Sequence, residues 1–202
     1  MISSITWLVM LAVFSGLSMN LILQFGLGLK GIAFDESMSR EKLLAGSGII
    51  FATVMFLWLF FLFIRSVLFL GLLEYVVLFP VSSLVFSVLE YLTNRFILKK
   101  NMEQERSLLS GDALTGGALV SAALFITLNV AGSFYEAVIL SLGFSGSAML
   151  VFVVVIEIRR RAEMEAVPRW LRGGPLALIA MGLLSLVFAS GALMLFGVLG
   201  VQ

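Results

Sequence analysis

The stretch MISSITWLVMLAVFSGLSMNLILQFGLGL, residues 1–29, contains no charged side chain and decides the class of fold. A helix needs about 20 apolar residues to cross the hydrocarbon core of a bilayer, so this stretch is long enough for one crossing. It lacks the basic segment and cleavage site of a signal peptide, and we interpret it as a retained first span. Only 12% of the 202 residues are charged, 61% are hydrophobic, and the mean hydropathy is +1.14. This composition excludes a water-soluble globule.

Five further apolar stretches follow the first. Together the six spans cover residues 1–29, 43–64, 66–93, 113–135, 137–156 and 173–202, and their only charged residues are Glu74 and Glu90 in the third. None alternates apolar and polar residues as the strands of a barrel do, and helices are the other structure that satisfies its own backbone in lipid. We therefore predict an all-α membrane protein with six transmembrane helices, folded as a single domain over residues 1–202.

The basic residues fall in the loops after spans 1, 3 and 5, with Arg65 as the exception. They are Lys30, Arg40, Lys42, Arg95, Lys99, Lys100, Arg106, Arg159, Arg160, Arg161, Arg169 and Arg172. Because short basic loops stay in the cytoplasm, we expect both termini to lie outside a bacterial or archaeal cytoplasmic (inner) membrane. The 13 basic residues face 12 acidic ones, which leaves no surplus for phosphates. Membrane lipid is the expected partner, and nucleic acid is not.

Three spans in each half give the two halves opposite orientations, which is the architecture of an inverted repeat. Repeat 1 would cover about residues 1–93, and repeat 2 about residues 113–202. Two pairs of similar tetrapeptides support it: SMNL at 18–21 with TLNV at 127–130, and SLVF at 83–86 with SLVF at 185–188.

The first pair of tetrapeptides places Asn20 and Asn129 at corresponding positions of spans 1 and 4. We expect the two amides to satisfy backbone groups where these spans break; the alternative is a hydrogen bond across a helix interface. Three glycines, Gly26, Gly28 and Gly31, also weaken the end of span 1. Without a break, span 1 would be a tilted helix that ends at Lys30.

Glu74 is the one carboxylate deep inside a span, where a charge costs a few kcal/mol unless it faces the bundle interior. It is either part of an ion or substrate site or a structural partner of Lys30 or another polar group. Glu136, between spans 4 and 5, and Glu157 are at positions more typical of the membrane interface. The candidate ion or substrate path consists of Asn20, Lys30, Glu74, Asn129 and Glu136.

The chain contains neither Cys nor His, so it lacks thiolate ligands and the usual ligands of zinc and haem. It also lacks a nucleophile–base pair for enzymatic chemistry. We expect no metal site and no cofactor bound by this chain alone, and at most a non-catalytic role in a membrane oxidoreductase or translocase.

Residues 158–188, IRRRAEMEAVPRWLRGGPLALIAMGLLSLVF, resemble the C-terminal signature of the Rnf/Nqr integral-membrane subunits. That signature contains Ile-Arg-x-Arg, then Val-Pro-x-x-Phe-Arg-Gly, then Leu-Ile-x-x-Gly and Ser-Leu-x-Phe; here Leu171 replaces the Phe. The resemblance implies six helices in an inverted three-plus-three topology. Family members hold an iron–sulfur cluster with one Cys in span 1 and one in span 4. In this chain Lys30 and Val130 stand at those positions, so the resemblance implies the scaffold without the cluster.

Two functions remain open. The first is a membrane subunit of an Rnf/Nqr-like ion-translocating electron-transport complex that lacks the iron–sulfur ligands, with a sister six-helix subunit and other oxidoreductase subunits as partners. The second is a stand-alone transporter on the same scaffold, as a homodimer or paired with a sister chain, which the missing thiols favour. A purely structural subunit is a weaker third. The resemblance also places Lys30 near the midplane, where we expect it to approach Glu74.

Overall fold

The computed structural model describes residues 4–25, 40–67, 73–96, 112–164, 168 and 174–198. Nearly all of these residues are helical and none of them is in a strand, so the prediction of an all-α protein is confirmed. The elements are α1 (Ser4–Val13), a π-helical turn (Phe14–Ser18), α2 (Leu21–Phe25), α3 (Arg40–Val67), α4 (Leu73–Phe96), α5 (Asp112–Val130), α6 (Phe134–Met164) and α7 (Gly174–Val198).

Four stretches of the described helices are long and apolar enough to cross a membrane. They are Ile5–Gln24, Gly46–Arg65, Phe134–Ile158 and Leu178–Val198. Helices α4 and α5 carry shorter apolar stretches, Val76–Leu89 and Gly117–Val130. Large apolar side chains are exposed on the outside of most helices, which is the expected arrangement when lipid is the solvent. By length and composition, the described residues thus contain four helical stretches that could cross a membrane, as expected of a membrane protein.

The helices continue beyond several of the predicted span ends. Span 2 was expected over residues 43–64, and α3 runs over Arg40–Val67; span 5 was expected over residues 137–156, and α6 runs over Phe134–Met164. In contrast, span 3 was expected from residue 66, which is still part of α3, and α4 begins only at Leu73. The end of an apolar run therefore marks the edge of the lipid-compatible segment and not the end of the helix.

Side-chain contacts give the relative directions of the central helices. Ser47 lies 3.9 Å from the sulfur of Met149, and Ser141 donates to the sulfur of Met55 at 3.4 Å, so α3 and α6 are antiparallel. The first span runs parallel to α6, because Trp7 contacts Glu136 at the start of α6 and Ser15 contacts Gly143 further along it. The core lies mainly between α3, α5 and α6, where its largest side chains include Leu57, Phe61, Leu124, Leu140 and Phe144. Of the four spanning stretches, the one in α6 is the most buried and the one in α7 the least.

Helices α4 and α5 approach each other closely through small residues. Ser82 Oγ and Ser121 Oγ lie 2.5 Å apart in the interior, and Ser121 Oγ also donates to the Gly117 carbonyl at 2.6 Å. A Cβ atom on Gly117 would come within 2.6 Å of Ser83 Oγ and 3.1 Å of Ser83 Cα. Small residues are the usual means by which helices pack backbone to backbone in lipid, where no hydrophobic force drives them together.

Candidate functional site

The first apolar stretch is interrupted inside the protein. Helix α1 ends at Val13 and passes into the π-helical turn, in which the Met19 N–H donates to the Phe14 carbonyl at 2.7 Å. Met19 then leaves helical geometry, with φ −104° and ψ 51°, and α2 begins at Leu21. Turns of π-helix are rare and are often found at functional sites. We refer to residues 14–20 as the interruption.

Two side chains satisfy backbone groups that the interruption frees. Asn20 Oδ1 accepts a hydrogen bond from the Leu23 N–H at 3.2 Å, as an N-cap residue does at the start of a helix. Gln24 Nε2 donates to the carbonyl of Ser18, which is the last residue of the π-helical turn. The main chain supports the same geometry, because the Gln24 N–H donates to the Asn20 carbonyl at 3.0 Å.

The predicted break in span 1 is therefore present, and Asn20 satisfies backbone there as expected. Its position differs from the one that the glycines indicate, because the chain departs from helical geometry at Met19. Gly26, Gly28 and Gly31 lie outside the described residues. The role of Asn20 in an ion or substrate path stays a prediction.

The Asn20 side chain is enclosed by the bundle, with 1% of its surface exposed. Helix α2 packs against α5, α6 and α7. Because Oδ1 takes the Leu23 N–H, the Nδ2 group faces another direction, and it has no hydrogen-bond partner among the described residues. A buried N–H without a partner costs about 1–3 kcal/mol. The interruption thus contains a buried hydrogen-bond donor, the Asn20 Nδ2 group. No described side chain or backbone group supplies an acceptor for it.

The contact between Ser15 and Gly143 fixes the depth of the interruption. A Cβ atom on Gly143 would overlap Ser15 Oγ and come within 2.8 Å of Ser15 Cβ, so the π-helical turn sits directly on α6. The Ser15 hydroxyl is buried and donates to the Leu11 carbonyl at 2.9 Å. Gly143 lies near the middle of the apolar stretch Phe134–Ile158. The interruption is consequently at mid-depth of the bundle and not at one of its ends.

Glu136 lies at one end of the bundle, in the first turn of α6. Its Oε2 accepts the N–H groups of Gly132 at 2.7 Å and Ser133 at 3.2 Å, and Ser133 Oγ accepts the Glu136 N–H at 3.4 Å. This reciprocal pair is a capping box for α6. Oε1 accepts a hydrogen bond from Trp7 Nε1 at 3.0 Å. Trp7 precedes Asn20 by about 20 Å of helix at 1.5 Å per residue, so Glu136 and Asn20 are not brought together.

Asn129 ends a helix and does not interrupt one. Helix α5 runs without a break from Asp112 to Val130, so the predicted break in span 4 is wrong. The Asn129 side chain is exposed, and its Nδ2 donates to the Phe125 carbonyl one turn earlier at 2.7 Å. The chain leaves the helix at Ala131 and bends at Gly132. No new helix therefore starts directly after Asn129 that its side chain could cap.

The remaining predicted residues give no shared site. Lys30 lies outside the described residues, as does the side chain of Glu74, so the proposed approach of these two groups stays a prediction. Val130 is exposed at the end of α5. In the part of the chain that the structure describes, no three His, Cys, Asp or Glu side chains are placed to hold a metal ion.

Several contacts that build the site were not predicted from the sequence. Ser15, Gln24 and Gly143 take part in the interruption, and Trp7 bonds Glu136 at the end of the bundle; each acts through a neighbour that the sequence does not reveal. One signal was available for Glu136, because Ser133 and Glu136 have the spacing of a capping box just before an apolar helix.

No protein-family model matches the chain, and no curated protein matches it. The resemblance to the Rnf/Nqr subunits therefore stays a prediction from the sequence.

Proposed function

We propose that this protein is a membrane transporter whose ion or solute site is the interruption of the first span. The observation that carries the proposal is the buried amide of Asn20 at mid-depth beside a broken helix, whose N–H donor has no partner among the described residues. Non-helical backbone at membrane depth is tolerated only where protein buries it or where it lines a cavity. In secondary transporters such discontinuous helices form the substrate sites.

The proposal includes six spans arranged as two inverted three-helix repeats. A twofold axis in the membrane plane would exchange spans 1, 2 and 3 with spans 4, 5 and 6. Six observed packings form three pairs that agree with that exchange: span 1 on α6 matches α5 on α3, α4 on α5 matches α7 on span 1, and α3 on α4 matches α6 on α7. The contact of α3 with α6 would lie on the axis itself.

The proposed orientation places both termini outside the cytoplasmic membrane. Aromatic side chains gather at the end of the bundle that would then face outward: Trp7, Phe134 and Tyr135 are exposed, and the Trp58 and Phe134 rings lie 6.2 Å apart. Aromatic residues with this placement are typical of membrane–water interfaces. The basic residues Arg160 and Arg161 lie at the opposite end of α6, where cytoplasmic loops would begin.

A non-ligating subunit of an Rnf/Nqr-like complex is the second candidate, and the signature from Val167 to Phe188 is compatible with both candidates. In that case a sister six-helix subunit would cover part of the bundle. Helix α7 has the most exposed apolar surface of the spanning stretches and would be available for it. Purification from native membranes separates the candidates, because a complex would bring flavin-containing and iron–sulfur subunits with it.

The absence of Cys makes the transport proposal directly testable with single-cysteine variants. Ser18→Cys places a thiol at the interruption, Val54→Cys places one in the closed core, and Leu186→Cys places one on the apolar outer face. In proteoliposomes, a charged thiol reagent supplied on both sides should modify Ser18→Cys and leave the two controls unmodified. Failure to modify Ser18→Cys under conditions that modify an exposed terminus of α6 would overturn the proposal.

A further inference from the structure

We infer that the site at the interruption binds an anionic or carbonyl oxygen of a solute, and not a metal cation. The inference rests on the proposed function and adds the chemical class of the occupant. Its basis is the polarity of the group that the site presents. The Asn20 Nδ2 atom is a hydrogen-bond donor, is buried, and lacks a partner among the described residues.

The orientation of the Asn20 amide is fixed by its own hydrogen bond. Oδ1 accepts the Leu23 N–H at 3.2 Å, and this backbone group can only donate. Exchanging the amide oxygen and nitrogen would set two donors against each other and would remove the cap of α2. The amide therefore cannot turn its oxygen toward the interior to coordinate a cation while it also caps the helix.

None of the other buried polar side chains in the described part accepts a hydrogen bond from Asn20 Nδ2. Apart from Asn20, the buried polar side chains in the described part are all hydroxyls, and each donates to a carbonyl three or four residues earlier in its own helix. They are Ser15, Thr53, Ser82, Ser121, Thr127, Ser141, Ser145 and Ser147. No carboxylate is among them, so within these residues no buried charge is present to hold a hard cation.

The second buried atom without a partner has the same polarity. Trp58 Nε1 is an N–H donor on α3, and it also lacks an acceptor in the described part of the chain. Both orphaned groups are thus donors, and neither is an acceptor. Trp58 packs on Phe134 at the end of the bundle, with 6.2 Å between the ring centroids, so it is not part of the interruption. At the interruption itself, an oxygen acceptor would satisfy the Asn20 N–H group, whereas a metal cation would be repelled by it.

Two thiol reagents of similar size and opposite charge test this inference on the full chain. Sulfonatoethyl methanethiosulfonate presents anionic oxygens, and trimethylammonioethyl methanethiosulfonate presents a cation. Reaction rates of both reagents are measured on Ser18→Cys in proteoliposomes, with reagent on both sides. Tyr135→Cys, at the exposed start of α6, gives the intrinsic ratio of the two rates.

The matched variant is Asn20→Gly in the Ser18→Cys background. Glycine is a tolerated N-cap residue, so this substitution removes the amide donor at a small cost to the helix. We expect the anion-to-cation rate ratio at Ser18→Cys to exceed that at Tyr135→Cys by about tenfold, since hydrogen bonds to charged groups are strong, and to return to the intrinsic ratio in Asn20→Gly. Unchanged reactivity of Tyr135→Cys combined with Asn20→Gly would show that the variant is folded.

The outcomes separate the inference from the proposed function. Reaction with both reagents at the intrinsic ratio, or with a preference for the cation, overturns the inference and leaves the transport proposal standing. An anion preference that persists in Asn20→Gly also overturns it, because another group would then be its source. Absence of reaction with either reagent at Ser18→Cys, with normal reaction at Tyr135→Cys, overturns both.

Discussion

Trp7 and Glu136 are 129 positions apart in the sequence and are joined by a hydrogen bond of 3.0 Å from the indole Nε1 to the carboxylate Oε1. The other carboxylate oxygen closes the turn before α6 through the N–H groups of Gly132 and Ser133. The Glu136 side chain therefore caps α6 and also forms a hydrogen bond that links the beginning of the first span to α6. This gives Glu136 a structural role at one end of the bundle, far from the interruption.

The first prediction concerns the coupling between these two residues. Trp7→Phe keeps an aromatic ring but removes the donor, and should lower the free energy of unfolding by about 1 kcal/mol. Glu136→Ala should cost more, because it also removes the capping interactions of α6. In the Glu136→Ala background, Trp7→Phe should have little further effect. Thermal unfolding of the original protein, the two single variants and the double variant in detergent measures this coupling. Strictly additive effects would show that the two side chains do not interact.

The second prediction concerns orientation and uses the two ends of α6. Tyr135 and Arg160 are both exposed; Tyr135 lies at the start of the apolar stretch Phe134–Ile158 and Arg160 follows its end. With both termini outside, Tyr135→Cys should react with an impermeant thiol reagent on intact cells, and Arg160→Cys should react only after permeabilisation. The reverse pattern would place the basic loops outside and refute the orientation.

The helical class and the approximate positions of the helices were predictable because apolar runs of spanning length leave helices as the simplest solution in lipid. The helix ends were not predictable from the same signal. Helix α6 continues past the apolar run to Met164, and in this extension Glu157 and Arg161 pair one turn apart, with Arg161 Nε 2.9 Å from Glu157 Oε1. Such a pair supports a helix that has already left the hydrocarbon.

The interruption was predictable in part. The two segments Ser18–Leu21 and Thr127–Val130 look alike, yet only the first breaks a helix inside the bundle. Asn20 is followed by a new helix that its side chain caps, whereas Asn129 bonds back to its own helix, which then ends. Which outcome occurs depends on tertiary neighbours, such as the bare backbone of Gly143 against Ser15, and a local sequence pattern does not encode these.

The third prediction tests that close approach with two glycines of the same helix. A Cβ atom at Gly143 would overlap Ser15, whereas one at Gly146 would meet nothing within 4 Å. Gly143→Ala should destabilise the protein by about 1–3 kcal/mol through overpacking. Gly146→Ala should leave stability unchanged or raise it by up to about 1 kcal/mol, because alanine favours the helix. Equal effects of the two substitutions on thermal unfolding would mean that the π-helical turn does not rest on α6.

The last prediction separates the two roles of the Asn20 amide. Its oxygen caps α2, and its nitrogen is a buried donor without a partner in the described structure. Serine caps a helix about as well as asparagine, whereas alanine does not cap at all. Asn20→Ser removes the orphaned amide and keeps a capping oxygen, so its thermal stability should equal or exceed that of the original protein. Asn20→Ala should be less stable than Asn20→Ser by about 1 kcal/mol, which is the contribution of a cap.

Asn129→Ser and Asn129→Ala serve as the control pair, because no helix begins after Asn129 within α5 and the two should differ little. If Asn20→Ser were markedly less stable than the original protein, the amide nitrogen would have to be satisfied within the folded chain. Such a result would remove the physical reason for placing an occupant at the interruption.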